Sequence, residues 1–148
     1  MPELTAECRS MIEGRNFAYL GTIRSDGSAA VTPVWVDLID DHVVVNGAAG
    51  RAWTKHLLAD PRVTVCVTSL LNPYQCVTIN GRVVAHESDD NAEHFAKLVT
   101  KYRGGRSLSK LLPDGQQRVI FKIAVDRFGY RTEDPPEETR DLVSASRK

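Results

Sequence analysis

This 148-residue chain carries no net charge, since nineteen lysines and arginines are matched by nineteen aspartates and glutamates. With no global field to draw in nucleic acid or anionic lipid, any recognition of an anion has to be local. No apolar run approaches the ~20 residues that cross a bilayer. Met1-Pro-Glu-Leu-Thr5 has neither a basic leader nor an apolar core, so it does not read as a signal peptide. The expectation is a cytoplasmic protein with no membrane or nucleic-acid partner. Cysteine is scarce as well. Cys8, Cys66 and Cys76 are odd in number and lack Cys-x-x-Cys spacing, which argues against a zinc knuckle or a dithiol redox pair. The four histidines (His42, His56, His86 and His94) form no His-Glu-x-x-His pattern, and no metal site is expected. Ser-His-Asp, Cys-His and paired-carboxylate arrangements are missing too. Any difficult chemistry here belongs to a cofactor, with no catalytic side chain singled out.

What is there centres on residues 43–61. Val43 to Val45 read as the end of a buried strand, and Asn46-Gly47 with Gly50 allow a tight bend. Arg51 to Ala59 reads as a short helix stopped by Asp60 and Pro61. Arg51 and Lys55, four residues apart, would share one helical face at the helix start. Unpaired backbone N–H groups and the helix dipole already favour an anion there, so the stretch makes a phosphate cradle. It is not a P-loop, because no Gly-Lys-Ser/Thr follows the glycines. A solvated helix with two ordinary surface cations is the alternative.

The rest of the chain frames that cradle. Leu4, Cys8, Met11 and Ile12 recur at helical spacing between a capping Thr5 and Gly14. Phe17–Ile23 and Ala29–Leu38 flank the turn Ser25-Asp-Gly-Ser28 as a hairpin, with Pro33 marking an edge or bulge. Strands are also expected at His42–Asn46, Val63–Thr68, Gln75–Glu87 and Val119–Val125, the long one curving at Gly81. A helix capped by Ser88 carries Ala92, Phe95, Ala96 and Val99 on its apolar stripe. The fold expected is mainly β with peripheral helices: a six-stranded, largely antiparallel barrel over residues 1–131. An acidic tail, 132–148, is expected to be mobile. So small a barrel leaves little interior for a cofactor, so a ligand on the cradle would lie in an outer groove. A second subunit would then form the other wall.

Five segments in consistent order carry a family resemblance. They are Leu20-Gly-Thr-Ile-Arg-Ser-Asp-Gly27, Val31-Thr-Pro-Val-Trp-Val36, Gly50-Arg-Ala-Trp-Thr-Lys-His-Leu57, Asp60-Pro-Arg-Val63 and Asn72-Pro-Tyr-Gln-Cys-Val-Thr-Ile-Asn-Gly-Arg82. Over residues 4–130 the chain resembles the split β-barrel flavin and deazaflavin oxidoreductases related to pyridoxamine 5′-phosphate oxidase. Among these it is similar to the actinobacterial branch that uses coenzyme F420. The resemblance implies an FMN-binding-protein-like barrel, a homodimer, and a cofactor lying between the subunits. Carried over, Arg51 and Lys55 would hold the cofactor phosphate. Asn46, Gly47 and Ala48 would line the ribityl chain, with Thr54 as a hydroxyl donor. Thr32, Pro33 and Val34 would meet the ring, and Trp35 would either join them or be buried by strand alternation. Asn72, Tyr74 and Gln75 would come from the partner. The implied activity is hydride transfer from reduced F420 to an electron-poor, unsaturated small molecule. The alternatives are FMN-dependent reductase or oxidase chemistry, or a non-catalytic carrier of F420, flavin or a haem-like molecule. The acidic C-terminal stretch lacks the basic substrate motif of true pyridoxamine 5′-phosphate oxidases, so vitamin B6 chemistry is not expected.

Overall fold

The computed structural model describes residues 1–104, 111–113, 115–135 and 137. Most of the tail at 132–148 lies outside the described residues. Helix α1 spans Ala6–Glu13, and the Thr5 hydroxyl caps it by accepting from the Cys8 N–H at 3.3 Å. Its Cys8, Met11 and Ile12 are buried in the main core. Strands β1 (Phe17–Ile23) and β2 (Ala29–Val34) form the expected hairpin, with Tyr19 opposite Pro33. Pro33 is tolerated because β2 has a neighbour on one side only. Strands β3 (Asp37–Ile39) and β4 (His42–Ala48) follow, then helix α2 (Ala52–Ala59). Strands β5 (Arg62–Thr68) and β6 (Cys76–Ser88), helix α3 (Glu93–Arg103) and strand β7 (Arg118–Arg131) complete the chain. No helix among the described residues is long and apolar enough to cross a membrane.

The seven strands form one antiparallel sheet in the order β2-β1-β5-β6-β7-β4-β3. Six strands were expected because Ala29–Leu38 reads as a single alternating run. The run breaks at Trp35 and Val36, and its two halves join opposite edges of the sheet. Three Cα–Cα steps cover at most about 11 Å. The two edges must therefore approach each other, and the sheet curls. At the break Val36 leaves the ladder, and α3 satisfies its backbone. The Tyr102 hydroxyl accepts from the Val36 N–H at 3.2 Å, and the Lys101 amine donates to the Val36 carbonyl at 2.6 Å.

Inside the curl, Val63, Val65 and Val67 of β5 are buried while Thr64, Cys66 and Thr68 stay half-exposed, as alternation requires. They pack with Leu20, Val43, Val45, Ile79, Phe121 and Ile123 in one core. Strand β6 shifts register between Asn80 and Gly81 and again between Val83 and Ala85. The start of α3 also differs from expectation. Asn91 and Ala92 take left-handed backbone, so a 3-10 turn (Asp90–Ala92) precedes the helix. Ser88 does not cap α3: the N-cap position falls on Ala92, and the Asp89 carboxylate serves the first turn by accepting from the N–H groups of His94 at 3.0 Å and Phe95 at 2.9 Å.

Gly81 is required by a close approach, since a Cβ there would stand 2.2 Å from the Ala124 carbonyl oxygen. That oxygen is backbone and cannot swing aside. Gly81→Ala is expected to cost about 2–3 kcal/mol, as overpacking does. Gly50→Ala, where a Cβ meets nothing within 4 Å, should change stability by less than about 0.5 kcal/mol. Urea midpoints of the two variants test this, and equal midpoints would contradict it.

Candidate functional site

The bend after β4 and the first turn of α2 stand at the junction of three cavities. One of about 510 Å³ lies among the ends of β2 and β4, α3 and the start of β7. A second, about 380 Å³, shares Arg51 and Trp53 with the first. A third, about 650 Å³, shares Arg24, Ala52 and His56 with the second. Adjoining through these shared residues around the helix start, the three are taken together as one groove.

Local packing shapes this corner. A Cβ on Gly47 would meet the Trp53 ring at 2.3 Å, so β4 carries glycine there because an indole lies against it, and the bend expected at Asn46-Gly47 begins only after Ala48. Thr54 is fully buried, and its hydroxyl donates to the Arg51 carbonyl at 2.7 Å. It holds the loop from within and is not displayed in the groove. Arg51 is the N-cap of α2 in extended conformation, one residue outside the expected helix. Arg51 and Lys55 therefore do not share a helical face. Arg51 lines the first and second cavities and Lys55 the third, with Ala52 on the ridge between them. No side chain caps the first turn and no acid lies in it. Its amide groups are left to solvent or a ligand.

Of the remaining sequence candidates, Thr32 lines the second cavity, and Pro33, Val34, Asn46 and Gly47 line the first. Ala48 is buried, and its carbonyl accepts from the Arg51 N–H at 3.0 Å. Asn72, Tyr74 and Gln75 sit elsewhere, in the turn between β5 and β6. There the Asn72 side chain accepts from the Tyr74 N–H and donates to the Glu133 carbonyl, and Gln75 donates to the Tyr130 hydroxyl. None of the three lines the groove within one chain.

Trp35, left between the ring surface and burial by the sequence, lines the first cavity, and the residues gathered around it were missed by sequence reasoning. Trp35 is half-buried and stacks on Tyr102 with ring centroids 5.1 Å apart and on Phe95 at 6.1 Å. Phe17 extends the ladder beyond Tyr102. At its other end the Arg118 guanidinium lies 3.8 Å from the Phe95 ring centre. The Arg118 Nε–H donates to Asn46 Oδ1 at 2.7 Å, and a terminal nitrogen donates to Gln116. Burial, helped by nearby Arg51, pushes the Arg118 pKa down to about 10. Arg118 reaches the site through the pairing of β7 with β4, where it faces Ala48. No local pattern signals that register.

Asn46 continues inward. Its amide nitrogen donates to Asp89 at 2.9 Å and to His94 Nδ1 at 3.0 Å. Because Arg118 takes the amide oxygen, the nitrogen must face His94, leaving His94 Nε2–H to donate to Asp37 at 3.1 Å. Lys97 pairs with the same carboxylate oxygen at 3.2 Å.

Burial alone would raise the Asp37 pKa, but hydrogen bonds from His94 and Lys97 hold it at about 2. A lowered carboxylate pKa contributes stability above the unfolded value and loses it as pH falls through the folded one. The linkage is on the order of 2 kcal/mol. Between pH 5 and pH 2 the wild type should therefore lose about 2 kcal/mol more than Asp37→Asn does in urea unfolding. Parallel losses in the two proteins would contradict the assignment.

Comparison with known proteins gives the site a context. No curated protein matches the sequence significantly. Among solved structures, a protein titled F420 Reductase is 25% identical over 87% of this chain and 98% of its own, with a TM-score of 0.75. A conserved hypothetical protein from Mycobacterium tuberculosis matches 96% of this chain and 89% of its own at 19% identity and a TM-score of 0.66. General Stress Protein 26 from Bacillus anthracis matches 84% of this chain and 91% of its own at 17% identity and a TM-score of 0.62. At those identities the last two show a shared fold alone. The family model described as Pyridoxamine 5'-phosphate oxidase matches residues 4–132, and the chain belongs to that family.

Proposed function

We propose that this protein is an oxidoreductase that uses coenzyme F420 to reduce an electron-poor, unsaturated small molecule. The observation that carries the reading is the uncapped, acid-free first turn of α2, with Arg51 and Lys55 exposed on its two sides. The likeness to the structure titled F420 Reductase supports the deazaflavin over FMN. The donor set fits an anionic cofactor. Amide groups of the first turn, flanked by Arg51 on one side and Lys55 on the other, would receive a phosphate, and Gly50 leaves the approach open. Arg24 lines the second and third cavities beside that turn, so positive charge continues past the phosphate, where F420 carries its anionic tail. Arg82, another rim cation, is engaged by Asp126.

When bound, reduced F420 supplies a hydride to a polarised double bond, and a solvent proton completes the product. The chain's own part is to bind, orient and exclude water. Thr32, Pro33 and Val34 would offer the ring an edge-strand surface, and Asn46 and Gly47 would form the floor beneath the sugar chain, with Ala48 buried behind them. Thr54 contributes by fixing the loop. A second copy would supply the outer wall through Asn72, Tyr74 and Gln75. Phe17, Tyr19 and Val31, exposed on β1 and β2, give that copy an apolar seat.

Arg51→Ala and Lys55→Ala are each expected to weaken F420 binding by about 1.5–3 kcal/mol, the range for charged hydrogen bonds. Arg127→Ala, whose side chain bonds Asn80 instead, should not. F420 should bind more tightly than FMN at low salt, with an advantage that shrinks but persists as salt rises. Fluorescence titrations of both cofactors decide the matter, and FMN ahead at every ionic strength would move the assignment to flavin. Turnover with reduced F420 separates enzyme from carrier.

The proposed dimer is twofold-symmetric, and light scattering should report the mass of two chains at micromolar concentration. A monomer that still binds the cofactor tightly would contradict the shared groove.

A further inference from the structure

The first cavity is chemically unlike the rest of the groove. Three arginines line it (Arg51, Arg103 and Arg118), and none of its described lining residues is an aspartate or glutamate. Arg118 is half-buried, yet both side chains it bonds among the described residues, Asn46 and Gln116, are neutral. The carboxylate behind them, Asp89, spends its hydrogen bonds on Asn46, His94 and Phe95. A guanidinium removed from water without a hydrogen-bonded counter-ion is unfavourable, and an oxyanion arriving in the cavity would relieve it. Among the described residues three of the five Arg118 N–H groups have partners, one of them a long 3.4 Å contact to the Asn46 carbonyl, which leaves two for a ligand. Arg103, exposed at the end of α3, has no ion pair among the described residues.

The remaining walls are flat and apolar. Trp35 and Phe95 lie within 18° of parallel, and Phe17 and Trp53 complete the aromatic lining. About 510 Å³ is the size of a small-molecule site. The anion site at the α2 start lies across Arg51, so the two positions adjoin without coinciding.

We infer that this cavity is the substrate subsite and that the substrate is a flat, unsaturated carboxylic acid. Arg118 and Arg103 hold its carboxylate, while its conjugated system lies along Trp35 and Phe95. Reaction at that site rests on the cofactor reading above; the acid's binding does not. A carboxylate could also come from the cofactor's own tail, and the experiment separates the two sources.

The chain's two tryptophans, Trp35 and Trp53, both line the cavity, so tryptophan fluorescence reports on it. The probes are trans-cinnamate and its neutral isostere cinnamamide, titrated into cofactor-free full-length protein by fluorescence and calorimetry. Cinnamate should bind at least tenfold more tightly than the amide. Arg103→Gln and Arg118→Gln should each lower cinnamate affinity about tenfold and leave the amide unchanged, while Arg127→Gln changes neither. If Arg118→Gln fails to fold, the exposed Arg103→Gln decides alone. Equal binding of acid and amide, or undiminished acid binding in the arginine variants, would overturn the proposal. So would displacement of cinnamate by saturating F420, which would place the cofactor tail in this cavity. F420 binding without acid preference refutes this inference and spares the cofactor reading; acid preference without F420 binding does the reverse.

Discussion

Two residues, Trp35 and Val36, govern the molecule, because they tie the two edges of one seven-stranded sheet together. A flat sheet of seven strands would set those edges about 28 Å apart at ~4.7 Å per strand spacing. Two linking residues cannot span that distance, so curvature is compulsory. Strand β6 accommodates it through two register shifts and the glycine that lets Ala124 approach. Helix α3 accommodates it by supplying the partners that the Val36 backbone gives up on leaving the ladder. The same crossover delivers Trp35 to the groove and Asp37 to the polar network. Fold closure and site construction are thus one event in this chain.

That coupling explains why functional and structural roles overlap at the corner after β4. Gly47 is small because Trp53 occupies the space, and Trp53 in turn walls two cavities. Thr54 ties the loop to the helix from inside, which frees the outer amide groups of the first turn. Arg51 gains its reach over two cavities by standing outside the helix. Gly47 and Trp53 are fixed by packing and still line a cavity, Thr54 is buried outright, and Arg51 stands exposed beside them.

Much of this was legible in the sequence where the determinants are local. Thr5 with Cys8, Met11 and Ile12 specified α1, and the Val-Thr-Val-Cys-Val alternation specified β5 and its buried face. Pro33 correctly marked an edge, and Gly81 a point of curvature. The second hairpin strand was misread because the alternation of Val34, Val36 and Leu38 continues through the break; what interrupts it is Tyr102 and Lys101, more than sixty residues away. The α3 cap was placed on Ser88 because nothing in Asp89-Asp-Asn-Ala92 announces two consecutive left-handed residues. The corner at the start of α2 was legible from its glycines and cations. Arg118 was not, because its relevance exists only through the register of β7 against β4.

The chain of hydrogen bonds from Arg118 through Asn46 and His94 to Asp37 and Lys97 has a further consequence. Every link in it has a single allowed direction. Arg118 can only donate, which fixes the Asn46 amide, which fixes the His94 tautomer, which leaves its N–H for Asp37. The wall of the first cavity is therefore backed by dipoles whose orientation is settled when the protein folds. A charge arriving there meets a field already in place, and little of the surrounding protein has to turn to receive it.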